Sequence, residues 1–366
     1  VVEMKPSCAF TFGVGYARLP YCTTSFFNIS AMSFGALSAP AIRALSRGAK
    51  QAGVWLNTGE GALSSFHLEG GCDLVFQIGT AKYGVRDEQH QLSDQKLRTI
   101  ADHEQVRMFE IKLSQGAKPG KGGILPGEKV TSVIASTRGI PEGKDSLSPN
   151  RHPDISNIDE LLDMIYRVRE VTGKPVGIKA VIGHSDWLDE MCLHIHQRGL
   201  EYAPDFFTVD SGDGGTGAAP QSLIDYMGLP VQCSLTLLAE KLVEHGLRER
   251  IRIIASGKMI NPAGVAAGLC LGADCVNSAR GFMFALGCIQ SLQCNKNTCP
   301  TGITTHDEDL QQGLDPTDKA QRVASYANNL MHEVEVISHS CGVAEPRLLN
   351  RRHVQMIGAR GVPEPI

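Results

Sequence analysis

Three closely spaced cysteines, a run of glycines and a few isolated lysines are the residues of this chain best suited to chemistry. Cys288, Cys294 and Cys299 stand in CIQSLQCNKNTCPTGI as C-x5-C-x4-C. Thiolates are preferred iron–sulfur ligands, and proline often follows the last cysteine of such loops. Three ligands rather than four point to a three-iron cluster or one with an open position. The spacing also admits three unrelated buried cysteines, or zinc if a fourth ligand such as His306 joins them.

The second signal is a pair of loops, DSGDGGTGA after a strand ending at Asp210 and SGKMINPAG after one ending at Ala255. Gly212, Gly214, Gly215 and Gly217 would let backbone N–H groups converge on a ligand without a side-chain clash. Gly257, Ala279 and Arg280 are placed to complete a phosphate site. Turn-forming glycine explains any one of these but not the whole cluster. Lys179, at a strand end, would sit near N1 of a flavin and stabilise the reduced ring; a snorkelling lysine is the plainer reading. GAKPGKGG (116–123) follows Lys112, and several cations on one rim would suit a dicarboxylate.

The elements that must position these residues alternate short apolar runs with helix-length segments. Strands are expected at 26–32, 54–57, 74–78, 108–113, 176–181, 206–210, 251–255 and 275–278. Helices are expected from the Ser38 N-cap to Ala52, from a Ser156 cap to Gly173, and over 187–198, 235–245, 262–271 and 320–338. Eight mostly continuous apolar strands fit a (β/α)8 TIM barrel, with a doubly wound sheet as the rival. The segment 116–153 shows no period and reads as a functional or disordered loop. The tail GVPEPI reads as loose. The expected organisation is an N-terminal extension (1–25), the barrel with its cysteine loop (26–310, loop 288–299) and a C-terminal helical extension (311–366).

The chain has 366 residues, 42% hydrophobic and 20% charged, which suits a large core. Its formal net charge of -4 excludes a basic nucleic-acid surface. Eleven cysteines, an odd number, argue against a disulfide framework and for a reducing compartment. No apolar run is long enough to span a membrane. Because the chain begins at Val1, an upstream anchor or domain stays open. The expected location is the cytoplasm, or the cytoplasmic face of a membrane if such an anchor exists.

ISAMSFGALS (29–38), NTGEG (57–61), IKLSQGAKPGKGG (111–123), SGDGGTGAAP (211–220) and ALGCIQSLQCNKNTCPTGI (285–303) together resemble the FMN-binding synthase domain of glutamate synthases, and more closely the stand-alone FMN-binding members of that family. The resemblance implies a (β/α)8 barrel holding FMN and a [3Fe–4S] cluster that feeds electrons to the flavin. Ammonia and 2-oxoglutarate would form 2-iminoglutarate, reduced to L-glutamate by hydride from the flavin. Cys288, Cys294 and Cys299 would ligate the cluster. Ser30, Ala31, Met32 and Ser33 would lie against the flavin, with Gln77, Lys179, Ser211, Gly212, Asp213, Gly214, Gly215, Thr216 and Gly217 around it. Gly257 and Arg280 would border its phosphate, and Glu60, Lys112 and Lys118 would stand near the substrate.

Two departures qualify this. The family reads GAKPGEGGQLPG where this chain has Lys121 for the glutamate and Ile124 for a glutamine that helps hold 2-oxoglutarate. An apolar side chain there is expected to alter recognition of a polar substrate. Another 2-oxo acid, an amine as in N-methylglutamate synthesis, or an electron-transfer or regulatory subunit without synthase chemistry are the alternatives. Second, neither an amidotransferase nucleophile nor a G-x-G-x-x-G fingerprint is present. Free ammonia, a separate glutaminase, ferredoxin or a separate reductase would then serve.

Overall fold

A computed structural model of the chain describes residues 9–116, 118–212, 219–220, 222–357 and 361–364. Eight strands, β1 (Phe27–Ile29), β2 (Leu56–Asn57), β3 (Leu74–Ile78), β4 (Val106–Lys112), β5 (Val176–Val181), β6 (Phe206–Asp210), β7 (Arg252–Ser256) and β8 (Cys275–Ser278), form a closed barrel. Every neighbouring pair is parallel, and β8 returns to β1 through Asn277 opposite Asn28. Closure excludes the doubly wound sheet, which would leave two edges. The apolar runs are continuous because strands such as β3 and β6 are buried on both faces.

Helices cover the outside: α1 (Ala39–Ala52), α2 (Asp94–Ala101), α3 (Ile158–Thr172), α4 (Asp186–Arg198), α5 (Val231–Glu244), α6 (Pro262–Cys270), α7 (Arg280–Leu286) and α8 (Pro316–Ser340). Ser38 caps α1 by accepting from Ala41 N, and Gly53 ends it at φ 68°. The α3 cap is Asn157 rather than Ser156, with Oδ1 accepting from Glu160 N at 2.9 Å. The α8 helix packs on α1 at Gly48, where a Cβ would come within 2.5 Å of Val323.

Two further expectations change. Phe10–Phe12 pairs with Tyr21–Thr23, and this hairpin plugs the bottom of the barrel. Phe12 is fully buried, its ring 5.9 Å from Trp55 and 5.6 Å from Phe206, in a cluster with Met108 and Ile254. Between β4 and β5, the segment that read as a functional or disordered loop contains a ladder of Ile124–Leu125 with Ser146–Leu147, a 3-10 turn and a helix at Ser132–Arg138. Its order comes from buried side chains, Leu125, Ile134 and Arg138 among them, which no local periodicity announces. In the tail, Met356–Ile357 pairs with Pro363–Glu364. Among the described residues, no helix is long and apolar enough to cross a membrane.

Candidate active site at the barrel mouth

Side-chain alternation turns charged residues of β4, β5 and β6 into the barrel above its apolar plug. Glu110 is 1% exposed. One of its oxygens accepts from Asn57 Nδ2 at 2.8 Å and Gln77 Nε2 at 2.7 Å, the other from Thr208 Oγ1 at 2.6 Å. Nearer the mouth, Lys179 Nζ lies 3.3 Å from Asp210 Oδ2. Burial pulls the Lys179 pKa down, but Asp210 and then Glu110 outweigh it, so the net shift is upward and the ammonium is held cationic. Asp210 also accepts from the backbone N–H of Gly116 at 3.0 Å and of Ser211 at 3.1 Å.

Lys112, two residues after Glu110, faces the same way. Its Nζ lies 3.2 Å from Glu60 Oε1 and also bonds Gln115. Burial pushes the Glu60 carboxyl pKa up, yet Lys112 and Lys118 more than offset this and the net shift is downward. Glu60 is therefore a carboxylate at neutral pH. The Lys118 pKa is lowered, first by burial and then by Lys112. Arg138 completes the set. It is buried, donates to Phe34 O at 3.1 Å, and has an Nε with no partner. A Cβ on Gly61 would come within 2.9 Å of its guanidinium. Three cations thus surround one carboxylate.

The first loop after a barrel strand lies alongside. Ser30 N donates to Ser278 O at 3.0 Å and Met32 N to Asn57 O at 3.1 Å, extending the barrel's pairing beyond the strand ends. Ser30, Met32 and Ser33 are buried and Ala31 is partly exposed. Gly59, at φ +66°, is obligatory, because a Cβ there would lie 2.7 Å from Ser33 N. Backbone also closes in at β6 and β7, where a Cβ on Gly257 would meet Ser211 Cβ at 2.2 Å and one on Gly212 would meet Gly228 O at 2.5 Å. Arg280 opens α7 beside them. Asp213, Gly214, Gly215, Thr216 and Gly217 lie outside the described residues.

Three histidines pin this architecture. His67 Nε2 donates to Met32 O at 3.1 Å, His306 Nε2 to Gly35 O at 2.8 Å, and His152 Nε2 to Lys112 O at 2.9 Å. Burial pushes each of the three down to about 4, so all are neutral.

The cysteine loop packs against the same region but does not form the expected ligand set. Among the described residues, no group of three or more His, Cys, Asp or Glu is placed to hold a metal ion. Cys299 is buried with Sγ 3.4 Å from Thr301 Oγ1, whereas Cys288 and Cys294 are partly exposed. His306 Nε2 donates to Gly35 O at 2.8 Å, and the ring is not grouped with the three cysteines as a metal site. Burial raises the Cys299 thiol pKa, but hydrogen bonds from Thr301 and Thr304 win and hold it at about 7. That chemistry suits a thiolate, but the three sulfurs are not gathered as a site. Lys129, 2% exposed, ties this loop to the first one, donating to Ala36 O at 2.9 Å and Cys294 O at 3.1 Å.

Ile124 also departs from expectation. Gly123 faces the site, since a Cβ there would lie 2.6 Å from Glu60 Oε1, and Leu125 packs inward on Gly35. Strand alternation therefore turns Ile124 the other way. It is 51% exposed and paired with Leu147, itself 63% exposed. Lys121 is exposed too. Ile124→Gln is expected to change substrate KM less than twofold in steady-state kinetics; a fall of tenfold would return the side chain to the substrate.

Sequence reasoning missed Glu110, Arg138, His67 and His152, and singled out His306 only as a possible zinc ligand. Glu110 had a readable signal, a carboxylate at i−2 from Lys112 inside an otherwise apolar strand. Arg138 had none, because only the folded insert brings its charge near Glu60. A groove of about 370 Å³ between α5, α6 and Leu349–Arg351 lies on the flank, away from these residues.

The model of the conserved region in glutamate synthase matches residues 20–344. The glutamate synthase large subunit-like protein YerD of Bacillus subtilis is 42% identical over 336 residues, covering 92% of this chain and 63% of that protein. The NADPH archaeal glutamate synthase of Methanocaldococcus jannaschii is 34% identical over 90% of this chain and 62% of its own length. The chain thus spans less than two thirds of these relatives. Among solved structures, a Pediococcus acidilactici lactate oxidase superposes at TM-score 0.59 with 13% identity, covering 100% of this chain and 80% of the other. A flavocytochrome b2 variant bound to benzoylformate does so at 0.57 with 16% identity, covering 95% and 74%. At such identities the likeness is one of fold.

Proposed function

This chain belongs to the glutamate synthase family, and from that premise we propose that its barrel mouth is a flavin site for the reductive amination of a 2-oxo dicarboxylate, 2-oxoglutarate first, to the amino acid. The observation that carries the reading is the set of Lys112, Lys118 and Arg138 around Glu60, beside the cationic Lys179.

FMN fits the residues present. Lys179 would offer a cation to the ring, Gln77 an amide, and Gly212 and Gly257 close backbone beside Ser211, with no room for a Cβ on either glycine. Arg280 would border the phosphate. When bound, FMN supplies the hydride that the imine carbon accepts. The residues of the chain do the rest. Lys112, Lys118 and Arg138 bind the substrate carboxylates. Ammonia adds to the 2-oxo carbon with loss of water, and the Glu60 carboxylate stabilises the cationic iminium nitrogen. The insert between β4 and β5 excludes water by lying over the mouth, fastened by Thr80 Oγ1 to Pro149 O at 2.7 Å and by Lys82 to Asp154.

No step is assigned to Cys288, Cys294 and Cys299, since the structure does not gather them. Reductant and nitrogen would come from separate subunits, from ferredoxin, or from sequence outside this chain. Ile124 and Lys121 are exposed, and the set of Lys112, Lys118 and Arg138 near Glu60 favours synthase chemistry over a subunit without it.

Anaerobic purification with FMN supplied, followed by absorption spectroscopy, EPR and denaturing release, tests this. The expected result is one FMN per chain, and glutamate formed from 2-oxoglutarate, ammonium and an artificial reductant. Colourless protein, or flavoprotein that makes no amino acid, would overturn the reading. An oxidised three-iron EPR signal would reinstate the three cysteines as ligands, and flavin without iron would leave a simple flavin barrel.

A further inference from the structure

We infer that Glu110 is a positioning residue, a single buried carboxylate that orients Gln77 toward the flavin and, through Asn57 and Gly59, sets the loop that carries Glu60. The inference rests on the flavin reading above. An ionised carboxylate only accepts hydrogen bonds, so it dictates which way a neighbouring amide points. Asn57 and Gln77 both turn their NH2 groups to Glu110 Oε1, at 2.8 and 2.7 Å. Their carbonyl oxygens must then face away. Asn57 Oδ1 uses this to accept from Gly59 N at 3.0 Å. Gly59 is wedged against Ser33 N, and the next residue is Glu60. Gln77 Oε1 accepts no hydrogen bond from the described residues, which leaves it as the acceptor offered to a ligand. One carboxylate thereby fixes a group on the flavin side and a loop on the substrate side.

Its charge matters as well as its shape. Glu110 is buried and fully hydrogen-bonded, with Lys179 as the cation above it. A fixed negative charge deeper in the barrel than Lys179 would oppose an anionic reduced flavin bound at the mouth, and Lys179 would favour it. Thr208 gives a clean way to separate charge from shape, because its hydroxyl can reverse from donor to acceptor. A glutamine at 110 could keep its carbonyl toward Asn57 and Gln77 and donate its NH2 to Thr208.

The test uses the full chain loaded with FMN. Glu110→Gln is expected to fold, bind FMN and raise the flavin midpoint potential by about 30 mV or more, a tenfold change in the two-electron equilibrium. Glu110→Leu strands both amides, and is expected to weaken FMN binding at least tenfold and to lower kcat more than it raises KM. If Glu110→Leu does not fold, Gln77→Leu replaces it, with the same tenfold loss of FMN affinity expected. Variants that change only the thermal midpoint, with potential and affinity unmoved, would reduce Glu110 to a structural residue and overturn the inference. Wild-type protein that takes up no FMN would instead refute the flavin reading itself.

Discussion

Glu60→Gln is expected to lower kcat by roughly 10²–10³-fold while FMN stays bound, the range for losing one preorganised electrostatic group in an active site. The change is nearly isosteric, so packing against Gly79 and Gly123 survives. The negative charge does not. Glu60 is a carboxylate because Lys112 and Lys118 hold its pKa down against its own burial. On the function proposed above, its role is to stabilise positive charge on the reacting nitrogen rather than to donate a proton. Removing that charge leaves Lys112, Lys118 and Arg138 uncompensated, which strengthens attraction for a dianionic substrate. KM for the dicarboxylate should then hold or fall as kcat collapses, a split that marks loss of a transition-state interaction. A raised KM with unchanged kcat would make Glu60 a binding group only.

Acid should dismantle the mouth before it attacks most of the barrel. His67 and His152 are essentially fully buried, and burial lowers both from 6.5 to about 4. In the unfolded chain they take up a proton near 6.5. Their contribution to stability is thus fully present above pH 6.5 and is lost progressively as pH falls toward 4. A shift of about 2.5 units for each ring amounts to about 3 kcal/mol, a large share of a typical stability of about 5–15 kcal/mol. His306 adds in the same direction, by less, because its ring is partly exposed. Protonation also damages specific contacts. His67 Nδ1 accepts from the Ser64 backbone N–H at 3.3 Å, and a protonated ring would set donor against donor. His152 Nδ1 has no partner and would be left as a buried charge. Urea midpoints measured from pH 7 to 4 should fall steeply, and the slope should flatten in His67→Asn and His152→Asn. A slope that both variants leave intact would assign the acid loss to carboxylates.

Much of this site was readable before folding, for reasons specific to each residue. The eight strands declared themselves because parallel strands buried on both faces must be continuously apolar, and closure follows once eight of them alternate with helices. Lys112 and Lys179 stood out as charges at the ends of such strands. The glycines at 212 and 257 stood out as places where backbone would approach a ligand, and the structure shows each also packed too closely on Gly228 or Ser211 for a Cβ. The insert read as a functional or disordered loop, and its short elements stayed hidden because their order comes from side chains such as Arg138 and Lys129 that bury themselves against distant loops, leaving no period in the chain.

The amino-acid sequence by itself thus determined the barrel, the rim that carries the chemistry and the family to which the chain belongs, since these depend on residue type and on spacing along one strand or loop. Tertiary structure alone decided which groups meet. Arg138 is buried near enough to Glu60 to feel its charge, three histidines hold the carbonyls of Met32, Gly35 and Lys112, and Ile124 turns outward, because each outcome depends on how a long insert and separate loops pack across the mouth. Such contacts are set by burial and by hydrogen-bond satisfaction between residues far apart in the chain, and no local pattern encodes them.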